Sequence, residues 1–254
     1  MADIHPSAII DSHAKLAEGV KVHPFAVIED DVEIDTGSEI LAGTVLRKGS
    51  RVGKNCRLGP YATIATEPHD YSFKGEMSYT ILGDGVRISS FSGVERATGE
   101  GKATLIGQGS TLMPHVYIGH NSKVGQEVTI IGGTEIAGHV EIGDFAYIGG
   151  SSVLHQFCRV GAYVATAGMS GILQDILPFS MAQGRPVMHY RLNKVGLERR
   201  GIIGERYKIL EKAIRGFRRK DWVLLNELAS QSEDVAFMLK FKESSERGLS
   251  KFAG

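Results

Sequence analysis

The sequence predicts a parallel β-helix shaped as a triangular prism, followed by a C-terminal α-helical domain. Three observations carry this: a six-residue period of branched aliphatics, a small or β-branched residue two positions before each, and a change to helical spacing after Pro178. The period starts at Ile4 and steps through Ile10, Leu16, Val22, Ile28, Ile34, Ile40, Leu46, Val52, Leu58 and Ile64 without a miss. If roughly a third of residues were branched aliphatics, such a run would arise about once in 10^5 trials. The partner position holds Ala8, Ala14, Val20, Ala26 and Val32, and later Ser122, Val128, Thr134, Val140, Ala146 and Cys158. Inward side chains two apart require extended backbone, because strand side chains alternate between faces. A helix is excluded, since six residues rotate a side chain by about 600°.

Flat faces one hexad long close most simply as a triangular prism of about eighteen residues per coil, stacked as parallel strands ~4.8 Å apart. The chain has room for roughly eight to ten coils. Glycine, Asn and Asp beside the aliphatics are expected to make the corners, where a positive φ costs them little. An antiparallel sandwich would instead show turn signals every ~8–12 residues.

Taken in order, residues 1–187 read as the prism and 188–254 as the helical domain. The frame holds to Ile64 and returns at Leu82, Ile88 and Val94. It then runs from Ile106 to Val160, weakens at Thr166 and resumes at Ile172. Two stretches, 65–81 and 95–105, break it. A solenoid takes extra residues only as outward loops, and such loops often carry function. In the tail, Ile203, Tyr207, Leu210, Ile214 and Phe217 fall at helical spacing, Trp222, Leu225 and Leu228 suggest a second helix, and Ser232 is placed to cap a third from Glu233. Nine basic residues face three acidic ones between 196 and 220. This tail is expected to pack on the prism and cap its end, with its basic cluster meeting an acidic partner.

The 29 basic and 29 acidic side chains cancel, so no global charge draws the chain to nucleic acid or to an anionic membrane. Cys56 and Cys158 are too few for a disulfide scaffold and fit a reducing compartment. With no basic-then-apolar leader and no run of ~18 apolar residues, a cytoplasmic protein without stable membrane insertion is expected.

Left-handed hexapeptide prisms of this kind belong to a large acyltransferase superfamily. The runs IAGHVEIGDFAYIGG (136–150), VLHQFCRVGAYV (153–164), SGILQDILPFSMAQG (170–184) and NKVGLERRG (193–201) resemble those of the UDP-N-acetylglucosamine 3-O-acyltransferase family. The resemblance spans nearly the whole chain and implies a left-handed parallel β-helix. It also implies a homotrimer with active sites in the clefts between prisms. The donor would be an (R)-3-hydroxyacyl chain carried on the phosphopantetheine of acyl carrier protein, and the acceptor the 3-hydroxyl of a UDP-amino sugar, in the first step of lipid A biosynthesis. No other cofactor and no metal is implied. The family's catalytic histidine falls on His120 in the run YIGHNSKVG, and its backbone oxyanion donor on Gly138. Its sugar or nucleotide contacts fall on Asp70, His139, His155, Gln156, Asn193, Arg199 and Arg200. Gly168, with Met169 beside it, falls where a side chain would block the acyl groove. Glycine there leaves space for roughly twelve to sixteen carbons.

The chemistry fits these residue types. Moving an acyl group from a thioester to an alcohol needs a base, for which histidine is suited, and a donor to the carbonyl oxygen, for which a backbone N–H serves. A glycine at 138 would let the thioester approach closely. His120 lies at a corner from which a side chain can project into a cleft. Cys158 is inward-phased and is read as packing; His5, His13, His23 and His189 are read as surface residues.

Several positions on the substrate side that the resemblance implies depart from the family, with Ser72 and Tyr117 still expected to bind substrate. A lysine is replaced by Ser72, a histidine by Tyr117, an acidic residue after the catalytic histidine by Asn121, a glutamate by Val195, and an Arg-Glu pair by Ser89-Ser90. These departures raise an altered acceptor, such as a 3-amino sugar giving an amide, or a non-catalytic paralogue. The prism also hosts zinc carbonic anhydrases, whose histidine spacing is matched by His115 and His120, with His69 as a poor third ligand.

Overall fold

The computed structural model describes residues 1–253. Its hexads form short strands in three sheets of eleven, nine and eight strands, the faces of a left-handed parallel β-helix. Where no loop intervenes, each strand pairs in parallel with the one eighteen residues on, as Tyr117 with Glu135 and Ile118 with Ile136, until the last coil, where Ala165 pairs with Met181 sixteen residues on. The eight strands of the third face close eight coils, and a ninth is begun.

The predicted inward aliphatics fill the prism, and from Val22 onward those of the hexad frame are buried. Each such burial stabilises by about 1.5–3 kcal/mol. Ile4 is 46% exposed because no coil lies beneath the first one. Many inward hydroxyls bridge coils: Ser110 Oγ donates to the Gly125 carbonyl at 2.8 Å and accepts from the Val128 N–H at 3.0 Å. Thr166, where the period weakens, is buried and accepts from the Gly149 N–H. Cys56 and Cys158 are both buried.

The corners differ from expectation. Left-handed backbone occurs not only at Gly and Asn but at Phe25, Tyr61, Phe91, His115, His139, Phe145, Phe157 and Tyr163. Stacking from coil to coil offsets the cost of positive φ: the rings of Tyr61, Phe91 and His115 lie 5.3 and 5.2 Å apart in sequence. Gly43 extends that column, since a Cβ there would lie 2.5 Å from the Tyr61 ring.

Both excursions leave the prism at one edge. Thr63–Thr66 and Gly93–Glu95 are second-face strands, so residues 67–78 and 96–102 emerge where the second face turns into the third. Topology therefore puts both irregular segments beside the corner that carries His120.

The expected boundary at 187/188 falls inside a strand. Ser180–Gly184 adds to the first face, and Val187–Leu192 turns back antiparallel upon it, so sheet order extends to Leu192. Four helices follow: α1 (Lys194–Arg199), which hexad and helix periodicity missed because it is short, α2 (Gly204–Arg219), α3 (Trp222–Gln231) and α4 (Glu233–Glu243). Ser232 does stand at the N-cap of α4, but its side chain makes no capping bond. Leu177 and Phe179 join the core of the helices, which thereby caps the C-terminal end of the prism. His189, expected at the surface, is fully buried.

Candidate active site

His120, Gly138 and Gln156 are eighteen residues apart and stack on successive coils along the edge between the second and third faces. Asn121, His139 and Phe157 follow them in the left-handed corner position. The His139 ring stacks on Phe157 at 4.6 Å and meets His120 edge-on at 5.1 Å. Asp70 reaches over from the first excursion, its Oδ2 3.8 Å from His120 Nδ1. Asp70, His120 and His139 each offer a polar atom within 4.8 Å of the others.

His120 does not project as expected; its side chain is only 11% exposed. It lies over Gly138, where a Cβ would come within 2.5 Å of Nε2. Gly138 is therefore needed first to admit the imidazole. Among the described residues, its N–H donates to no protein acceptor.

The packing also fixes the tautomer of His120. Asn121 Oδ1 accepts from the Thr98 N–H at 2.9 Å while Asn121 Nδ2 donates to the Thr98 carbonyl at 2.9 Å, so the second excursion sets which end of the amide is oxygen. That oxygen lies 2.9 Å from His120 Nδ1 and can only accept. Nδ1 therefore carries the hydrogen, and Nε2 keeps the lone pair a base requires. The departure from an acidic residue to Asn121 preserves this lock.

Neighbouring groups are tuned in matching directions. The Ser72 N–H, 2.9 Å from Asp70 Oδ1, holds that carboxyl below the usual carboxylate range, with His120 adding to the effect. Ser72 thus contributes its backbone, and its side chain is exposed. Burial, then the proximity of His120, lowers the pKa of His139. Burial, then Glu95, raises that of Tyr117, which stays protonated.

Sequence reasoning missed Glu95. It is fully buried, its Oε2 accepts the His120 N–H at 2.9 Å, and its Oε1 accepts the His69 N–H at 3.0 Å and contacts His69 Nδ1. Tyr117 Oη stands 3.3 Å from the same Nδ1. The available signal was a charged residue at the point where the aliphatic frame breaks.

The remaining candidates lie elsewhere. His155 and Gln156 are exposed on the His120 edge. Asn193, Arg199 and Arg200 line a separate cleft of about 350 Å³ with Glu127, Phe145 and Val195, on the edge between the third and first faces. There Asn193 caps α1, accepting from Gly196 and donating to the Tyr163 carbonyl. Arg200 pairs with Glu127 at 2.6 Å over the Phe145 ring, while Arg199 is exposed. Gly168 and Met169 are exposed at the third edge, between the first and second faces, which also bears Ser89, Ser90 and His115. Five residues do not complete a hexad, so His115 and His120 stand on different edges of the prism.

Comparison with known proteins decides the family. Residues 175–250 match domain 2 of UDP N-acetylglucosamine O-acyltransferase. An acyl-[acyl-carrier-protein]–UDP-N-acetylglucosamine O-acyltransferase of Thermodesulfovibrio yellowstonii is 35% identical, across 98% of this chain and 99% of the relative. The chain belongs to this O-acyltransferase family. A relative of the same name from Halorhodospira halophila is 36% identical over 98% of this chain and 99% of its own. The solved UDP-N-acetylglucosamine acyltransferase of Francisella novicida superposes with a TM-score of 0.93 at 28% identity, covering 98% of this chain and 94% of that one. That of Bacteroides fragilis gives 0.92 at 31% identity, covering 97% and 99%. The chain is thus an acyltransferase, and the family's O-acyl chemistry disfavours the amide-forming, non-catalytic and carbonic-anhydrase alternatives. No helix of the described residues is long and apolar enough to cross a membrane.

Proposed function

We propose that this enzyme transfers a 3-hydroxyacyl group from acyl carrier protein to the 3-hydroxyl of UDP-N-acetylglucosamine, opening lipid A synthesis. The observation that carries the reading is the imidazole of His120, held by Asn121 with Nε2 free. The acceptor oxygen attacks the thioester carbonyl as its proton passes to Nε2. A backbone N–H at Gly138 stabilises charge on the carbonyl oxygen. The carbon–sulfur bond then breaks, and the proton leaves with the phosphopantetheine thiol. No covalent enzyme intermediate is needed, consistent with the buried Cys158, whose thiol burial pushes up to about 11.

The working unit in this reading is a homotrimer. His120, the Arg199–Arg200 cleft and Gly168 occupy three different edges of one prism, so prisms packed side by side can bring them to one substrate. Asp70, His139, His155 and Gln156 serve the acceptor at the His120 edge; Asn193, Arg199 and Arg200 serve it from a neighbour. Ser72 and Tyr117 act through Asp70 and His69. Gly168 leaves room for a chain of roughly twelve to sixteen carbons, with Met169 at its border. The basic face of α2 meets acyl carrier protein, and the reaction takes place in the cytoplasm.

His120→Ala is expected to lower kcat about 10²- to 10⁴-fold, followed by mass spectrometry of the acylated nucleotide sugar, with little change in thermal midpoint. Unchanged turnover would overturn the base assignment. A wild-type protein inert toward UDP-N-acetylglucosamine would overturn the acceptor.

A further inference from the structure

We infer that Glu95 is a positioning residue that sets Asp70 against His120. The inference rests on the reaction proposed above. Its carboxylate is completely buried, a costly placement for a charge unless several donors meet it. Four donors do so or lie beside it. The His120 N–H bonds one oxygen, and the His69 N–H and ring bond the other. The Tyr117 hydroxyl, 3.3 Å from the His69 ring, closes the cluster. Nothing about the coil requires a charge here: at the equivalent position one coil later, Gly119 sits between Ile118 and His120 as ordinary corner backbone.

The two oxygens join segments that leave the second face two strands apart, one on each side of the strand that carries Glu95. Oε2 holds the corner from which the catalytic imidazole hangs, and Oε1 holds the first excursion one residue before Asp70. His69 itself is 82% exposed at its side chain, so its own burial does not locate it. The other ties of residues 67–78 run mainly to the second excursion, through the Gly99 N–H to Glu76 Oε1 at 2.7 Å and Arg96 over the Phe73 ring, so the carboxylate is what bonds the first excursion's backbone to that of the His120 corner. The cluster also accounts for Tyr117: a phenol kept protonated by burial and by Glu95 can donate beside the carboxylate. Through Asp70, Glu95 controls how the acceptor sugar is seated, without touching it.

The test compares wild type, Glu95→Gln and His69→Ala, using UDP-N-acetylglucosamine and 3-hydroxyacyl carrier protein. The amide of Gln keeps the shape but offers only one accepting oxygen. Both variants are expected to raise KM for the nucleotide sugar roughly 10- to 100-fold, with KM for the acyl donor nearly unchanged. In an Asp70→Asn background, Glu95→Gln should add little further. Amide exchange at residues 69–70 of the free protein should quicken at least about tenfold in Glu95→Gln. His69→Ala alters an exposed side chain and guards against a variant that fails to fold. Equal rises in both KM values with a fallen thermal midpoint, or unaltered exchange at 69–70, would overturn the positioning role. Inactive wild type with the predicted exchange change would instead fault the assigned acceptor and leave the clamp standing.

Discussion

At the scale of single residues, Gly138 and His120 show how one absence creates another group's position. The imidazole occupies the space where a Cβ would stand, 2.5 Å from Nε2. Gly138→Ala must therefore displace the ring by an ångström or more, and misplacement on that scale costs on the order of 10²-fold in rate. The expected result is a kcat loss near that size with a thermal midpoint close to wild type; a fully active variant would show that the ring has room elsewhere. Asn121 works by the same logic of fixed geometry. An amide in place of a carboxylate loses charge but, clamped by the Thr98 backbone, still selects the Nδ1–H tautomer.

At the scale of elements, the strand Val187–Leu192 carries a buried acid-sensitive joint. His189 Nδ1 lies 2.9 Å from the Ser250 carbonyl, and Nε2 accepts the Leu177 N–H at 2.8 Å, with the ring stacked on Phe252. Burial lowers its pKa to about 4, against an ordinary value near 6.5. The folded state refuses a proton that the unfolded chain accepts. Stability from this group is therefore complete above pH ~6.5 and falls as the pH drops toward 4, by about 3 kcal/mol in all. Thermal unfolding followed between pH 7 and pH 4.5 should show this slope, and His189→Gln should flatten it while lowering stability at neutral pH. An identical slope in the variant would place the acid sensitivity elsewhere. The joint ties the last residues of the chain to the capping hairpin, which explains why the sheet runs past the expected boundary.

At the scale of the whole molecule, the residues proposed to serve the substrates are spread over three edges of a rigid prism. A rod of stacked coils cannot fold one edge onto another, so the proposed site needs more than one copy. Mixing subunits tests this directly. His120→Ala and Arg199→Ala chains, dissociated and reassembled together, should recover activity in about a quarter of the sites, those that receive His120 from one variant and Arg199 from the other. Recovery no greater than the sum of the parents would put both residues in one chain's site. Sedimentation should accompany it with a mass of three chains.

The hexad frame, the two excursions, the inward Cys158, the change to helix and the His120 corner were all legible in the residues, because each depends on spacing along the chain. A strand's alternation and a helix's turn are local geometry, and eighteen residues per coil projects that geometry onto fixed faces. What only the tertiary structure decided depends on segments far apart in sequence meeting at one edge. Glu95 is buried because an excursion folds over it, His189 because the C-terminus stacks against it, and His120 is recessed because Gly138 and Asp70 close around it. Aromatic corners fall in the same class: a ring tolerates left-handed backbone only when the coil above or below supplies its stacking partner, which no single hexad reveals.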